Sequence, residues 1–262
     1  MAFDRDDFVR LLTDYYEFCS RTFWDVTVQH APAGGWPSIN HETLARLQKN
    51  DQVVELLRHL PYPEFNQGVY TPLIMDHTGI VDWRSEYTHA LIRNESLEVK
   101  PEPFTNRDPP LTPSCACIAK SVSRDGYFVV IDTEDGYIYW GDSNGEHDEP
   151  QPELNATLDR FTDDPANMWR DPLSGVNVYQ PADFFALCKQ RFRELRWIGM
   201  DQWNISALRM NYEWDELDEE DEHAELVAMM REAGWPGDGE GRGWDRAKFE
   251  ALLQEENSEG GG

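Results

Sequence analysis

Apolar residues recur at helical spacing from Asp4 to Phe23, where Phe8, Leu11, Leu12, Tyr15, Phe18 and Cys19 form one stripe. This predicts an opening helix with one buried face. The segment APAGGWP (31–37) ends it with proline and glycine. Ser38 or Asn40 is placed to cap a second helix through Leu44 and Leu47. Asp51 is placed to start a third, with Val53, Val54, Leu56, Leu57 and Leu60 as its apolar set and Pro61 as its stop. Between Val69 and Val99 the pattern turns short and strand-like in VYTPLIM, GIVDW and HALI. Five prolines make 101–113 a loop or linker. CACIAKSV, YFVVID and YIYW then read as strands, and Asp135-Gly136 joins the last two in a hairpin. Glycine supplies the positive φ that such a turn demands.

The stretch 142–180 is polar and reads as irregular, with turns at DEPQPE, TDDP and RDPLSG. From 181 to 199 an amphipathic helix is expected, with Phe184, Cys188, Phe192 and Leu195 on one face, Pro181 before it and Gly199 after it. Residues 201–262 carry 18 acids and 5 bases. They predict a helix through Glu225–Met230, stopped by Gly234-Trp235-Pro236, and another around Ala247–Leu253. Gly-Trp-Pro occurs twice, at 35–37 and 234–236, each time before a helical pattern. Two copies are too few for a repeat architecture, so both are read as tryptophan-anchored entries into a helix. The organisation that follows is an α+β core over 1–199, helical in 1–62, sheet-rich in 69–141 and closed by the helix at 181–199. An acidic helical extension over 200–256 and a disordered end at 257–262 complete it. The sheet is expected to be small and antiparallel or mixed.

Composition changes this picture in one respect. Ten tryptophans and 40% apolar residues supply a core, but 50 acids against 23 bases leave a net charge of −27. Such a chain repels nucleic acid and anionic membrane, and favours basic proteins or cations. The amino-terminal stretch shows no signal-peptide pattern, and no run approaches the length of a membrane span. Cys19, Cys115, Cys117 and Cys188 are expected to be reduced, in cytosol or nucleus.

Motifs for chemistry are sparse. A calcium loop starting at Asp132 or Asp142 has its glycine in the wrong register, so no metal or other cofactor is expected. In DSNGEHD, Asp142, Asn144, Glu146 and Asp148 gather at most a weak exposed cation, and turn residues have backbone reasons of their own. Cys115 and Cys117 share one strand face without a second pair at zinc spacing, and read as two small buried side chains. Asp82 with Glu98-Val-Lys100 matches a nuclease-like acid-x-Lys spacing that arises readily by chance. The sequence contains no P-loop, nucleophile elbow or zinc-protease motif, so no catalytic residue is assigned.

Two charged surfaces stand out instead. Lys189, Arg193 and Arg196 line the polar face of the helix at 181–199. Glu213, Asp215, Glu216, Asp218, Glu219, Glu220, Asp221 and Glu222 form a dense acidic run without Lys or Arg. These eight are the candidate partner-binding residues, and an internal match between the run and the basic helix face is a further expectation.

LLRHLPY (56–62), YFVVIDTEDGYIYW, the Phe-rich helix at 184–195 and REAGWP (231–236) resemble a set of uncharacterised filamentous-fungal proteins, which implies no activity. SRDGYFVVIDTEDGYIYW followed by VYQPADFFALCKQRF is similar to the SUKH superfamily, which includes fungal cell-wall-synthesis regulators and bacterial toxin-immunity proteins. Asp125, Gly126, Asp132 and Gly136 match its strand pattern, and Phe184 and Phe185 its closing helix. The polar insert at 142–180 departs from it. This resemblance implies an α+β fold and protein binding without catalysis.

The function expected is therefore a non-catalytic interaction or regulatory module with a basic protein partner. The rivals are an enzyme whose small-molecule or metal site is assembled only in space, around His147 and Asp142, and a nucleic-acid mimic. A pocket holding two or more perturbed acids or histidines would favour the enzyme.

Overall fold

A computed structural model describes residues 3–65, 71–93, 102, 111–142, 145, 147–157, 167–171, 175–208 and 217–259. Its class is α+β. Helix α1 (Arg5–Thr22) starts at Asp4, whose carboxylate accepts the amides of Asp6 and Asp7 at 3.0 Å each. Its stripe buries Phe8, Leu12, Tyr15, Phe18 and Cys19. Helix α2 (Asp51–His59) is capped by Asn50, which accepts the Val53 amide at 2.8 Å. Between them the helix expected through Leu44 and Leu47 reduces to turns and one 3-10 turn, Ala45–Leu47. Asn40 does accept the amides of Glu42 and Thr43, but Gln48 sits at φ 52° and stops propagation.

Six strands form one antiparallel sheet in sequence order: β3 (Leu73–Met75), β4 (Thr78–Ile80), β5 (Cys115–Ser121), β6 (Tyr127–Asp132), β7 (Ile138–Asp142) and β8 (Val176–Tyr179). Two ribbons flank it, β1 (Val28–Gln29) with β2 (Tyr62–Pro63), and β9 (Trp197–Asp201) with β10 (Asn204–Ala207). The β6–β7 hairpin turns through Thr133–Gly136, with Gly136 at φ 81° and its amide donating to Asp132 O at 2.9 Å. Opposite Gly141, the Phe128 ring fills the place of a side chain, since a Cβ there would lie 2.1 Å from it. Tyr127, Val129, Ile131, Ile138 and Trp140 share the sheet face that meets the helices.

Helix α4 (Pro181–Arg193) runs in the same direction as α1, with Phe8 against Phe185 and Phe18 against Phe192 at ring separations of 6.0 and 5.9 Å. Phe184 carries this layer onto Trp140 of the sheet, 5.5 Å away.

Three sequence expectations need correction. HALI lies in helix α3 (Glu86–Arg93), not a strand. Adjacent Thr88 and His89 both turn inward, to the carbonyls of Asp82 and Trp83 at 2.7 and 2.8 Å, which period-two geometry forbids. The stretch 142–180 contains strand β8, a buried four-residue run inside polar sequence. The closing helix stops at Arg193, because Leu195 takes φ 59° and the chain enters β9.

Both sheet edges are covered. Asn155 donates its side-chain amide to Val176 O at 3.1 Å and accepts the Val178 amide at 2.8 Å, doing for β8 what a seventh strand's backbone would do. At the other edge Leu73 donates to Gln202 O at 2.8 Å and accepts from the Trp24 indole at 2.7 Å.

The carboxy-terminal third packs on this core. Helices α5 (Leu217–Glu232) and α6 (Arg246–Glu259) flank a glycine-rich loop. Trp235 donates to Phe192 O at 3.1 Å, as Trp36 donates to Leu60 O at 2.9 Å, so both Gly-Trp-Pro tryptophans are packing anchors. Arg246 donates to Trp24 O at 3.0 Å, and Arg21 to Glu240 O at 2.8 Å. A boundary at 199 falls within the β9–β10 ribbon. Residues 257–259 of the expected disordered end belong to α6, and 260–262 lie outside the described residues. Among the described residues no helix is long and apolar enough to cross a membrane.

Candidate functional site

The acids of the β6–β7 hairpin hold an arginine. Asp132, at the end of β6, and Arg170, from the 3-10 turn Met168–Arg170, are both buried and pair at 2.6 Å. Asp135 lies 3.4 Å from the same guanidinium nitrogen and accepts the Tyr139 hydroxyl at 2.6 Å. The guanidinium sits over the rings of Tyr139 and Trp169, 4.8 and 4.9 Å from their centroids. Its other terminal nitrogen reaches Thr112 Oγ1 at 3.2 Å and Cys115 Sγ at 3.1 Å. Burial raises Asp135 above its ordinary range, with the Tyr139 hydrogen bond opposing it. Burial also pushes the Cys115 thiol up to about 12 against the pull of Arg170, which keeps it protonated and poorly nucleophilic. The network ties three segments distant in sequence and turns its polar atoms on one another.

Other buried charges behave alike. Lys49 meets Glu102 at 2.5 Å and reaches Thr112 O at 3.5 Å. Asp82 takes Arg84 with both oxygens, at 3.0 and 2.9 Å, while the Arg84 guanidinium also lies against the rings of Trp36 and Tyr62, 4.8 Å from each centroid. Asp82 is thereby engaged, whereas Glu98 and Lys100 lie outside the described residues.

Around His147 the sequence left room for a spatial active site. The imidazole stands edge-on to Trp140 at 4.3 Å, faces Tyr127 at 5.3 Å and accepts the Glu149 amide through Nδ1 at 3.0 Å. Burial lowers its pKa to about 3, so it stays neutral. Asp142 is buried in β7, Asp148 accepts the Tyr127 hydroxyl at 3.4 Å, and Asn144 and Glu146 lie outside the described residues. Among the described residues no group of three or more His, Cys, Asp or Glu is arranged to hold a metal ion. All four cysteines are free and buried.

The basic face of α4 is engaged by acids other than the run at 213–222. Lys189 bonds Asp14 and Glu240 at 2.6 and 2.7 Å, and Arg193 bonds Glu240 and donates to Gly239 O at 2.5 Å. Arg196 lies 3.4 Å from Glu149, which also takes Arg191 at 2.5 Å.

Of the eight candidate residues, Glu213, Asp215 and Glu216 lie outside the described residues. Asp218, Glu219, Glu220 and Asp221 occupy the first turns of α5, and Glu222 is exposed on it. One residue further, His223 is buried, with Nε2 donating to Leu195 O and Nδ1 accepting the Ser206 hydroxyl, both at 2.7 Å. Met230 and Ala233 are buried on the same side, so the core holds this helix while Glu222 and Glu225 face solvent. A hydrogen bond from Glu225 and the repulsion of nearby acids raise Glu256 of α6 above its usual range, a mark of the crowded charge.

Sequence reasoning did not find Arg170, Glu102 or Asn155, each of which lies in a segment that reads as polar loop. His147 entered the sequence reading only as the centre of a rival site with Asp142, and His223 was given no role there. No protein-family model matches the chain, and neither curated proteins nor solved structures give a match.

Proposed function

We propose that the chain is a non-catalytic interaction module of the cytosol or nucleus, with a SUKH-like character, whose acidic helix α5 engages a basic protein. The observation that carries this reading is the pose of α5. His223, Met230 and Ala233 fix one side to the core, and Glu222 and Glu225 are left exposed in a chain of net charge −27. A fixed acidic helix loses little freedom on binding and steers a basic partner over distance. The buried acids at Asp132, Asp82 and Glu149 support the same division, since each is paired to an arginine within the chain.

Capture from native lysate with the full chain, at low and at moderate salt, tests the reading. It predicts a basic protein retained at moderate salt and competed by soluble polycation. Absence of any such protein, together with a metal ion or metabolite that raises the melting temperature, would replace it with the enzyme reading.

A further inference from the structure

Trp203 crowns the turn between β9 and β10, and its side chain is left in solvent, 48% exposed. A single exposed hydrophobic residue is ordinary on a protein surface. Trp203 differs in how firmly it is held. Asp201 accepts the Trp203 amide through one carboxylate oxygen at 2.6 Å and the Asn204 side-chain amide through the other at 2.7 Å. Gln202, the residue before it, accepts the Leu73 amide at the sheet edge and, through its side chain, the Asp25 amide at 3.3 Å. The turn is therefore fixed both to itself and to two distant segments, and it presents about half of the Trp203 surface to solvent.

The charge beside it is negative. Asp25 is exposed and bonded to this turn, and Asp201 forms its base. Arg246, which donates to Trp24 O next to Asp25, is paired with Glu250 at 2.7 Å. One indole offers too little apolar surface to bind a hydrophobic helix. It is well suited to a planar cation, which stacks on the ring while its N–H groups reach carboxylates. We infer that Trp203 is an aromatic anchor that takes an arginine side chain of a basic partner, with Asp25 and Asp201 supplying the countercharge. This rests on the reading of a basic partner and adds a contact point away from α5.

The test labels the tryptophan indoles of the full chain and assigns the Trp203 signal by W203F. The probe is the peptide acetyl-(Arg-Gly)3-amide at physiological ionic strength, with its Lys and Gln counterparts as controls. The Trp203 indole signal should shift with the Arg peptide, less with Lys and not with Gln. W203A should weaken binding about fivefold, the equivalent of roughly 1 kcal/mol of cation–π contact. Because the indole is exposed, W203A should melt as the parent does. Undiminished binding by W203A, lost instead when Glu222 and Glu225 become glutamine, would overturn the inference and leave the α5 reading standing. Failure of all three peptides to bind would also overturn it, and the lysate capture would then decide the reading by itself.

Discussion

Replacing Arg170 by leucine tests whether the hairpin acids are internal structure. The substitution removes a 2.6 Å pair between groups that are both buried, and leaves Asp132 without its cation. Breaking a buried pair from one side costs about 3–5 kcal/mol, because the remaining charge must be neutralised or hydrated in place. Stacking lost over Tyr139 and Trp169 adds to this, while the leucine side chain recovers part of the packing. The expected destabilisation by urea unfolding is therefore about 4 kcal/mol, a large share of the stability of an ordinary domain. The double variant R170L/D132N removes the stranded charge and should be more stable than R170L alone, a coupling that a double-mutant cycle reads directly. A cost below about 1 kcal/mol for R170L, with D132N acting independently, would refute the reasoning. Asp132 and Asp135 would then be free to serve a ligand.

Asn155→Ala should cost about 1–3 kcal/mol by leaving Val178 N–H and Val176 C=O unpaired, and should expose β8 to strand pairing; urea unfolding checks the first and concentration-dependent sedimentation the second, and parental stability with parental sedimentation would contradict the edge assignment. Burial depresses His147 to about 3 and lowers His223, so their contribution is full above the unfolded value near pH 6.5 and declines as the solution is acidified toward their folded values. Between pH 6 and 4 unfolding free energy should fall by up to about 1.4 kcal/mol per unit for His147, and His147→Leu should flatten that slope. Gly241→Ala places a Cβ at positive φ, 2.9 Å from Thr22 Cγ2 and 3.1 Å from Arg21 Cβ, so it should loosen the glycine loop from α1. Amide exchange in both α1 and α6 should then rise together; exchange confined to the loop would show the carboxy-terminal third to be uncoupled from the core.

The sequence disclosed the parts whose burial is periodic and whose ends are chemically marked. Helices α1 and α2 and the β6–β7 hairpin combine a clear stripe or alternation with Asp, Asn or Asp-Gly at the boundary. Helix α3 was hidden because HALI is short and equally apolar as a strand, and its direction is set by bonds to Asp82 and Trp83 carbonyls. Strand β8 was hidden because four residues carry too little pattern, and it is held by Asn155 from 21 positions away. The end of α4 depends on one left-handed residue, Leu195, whose side chain fits the helical stripe and so disguised the break. As for the site, the acidic run was visible as composition, but its fixation through His223 to Leu195 and Ser206 is a long-range contact. The same holds for Arg170, which meets Asp132 across 38 positions.

The most direct measurement of the central claim compares the full chain with a variant in which Asp218, Glu219, Glu220, Asp221, Glu222 and Glu225 become their amides. Affinity for the basic protein captured from lysate would be read at low and moderate salt, beside the melting temperature of each chain. Loss of binding by tenfold or more (about 1.4 kcal/mol), with a shallower salt dependence and little change in melting, is the result the account predicts. Equal affinity and equal salt dependence in the two chains would contradict it.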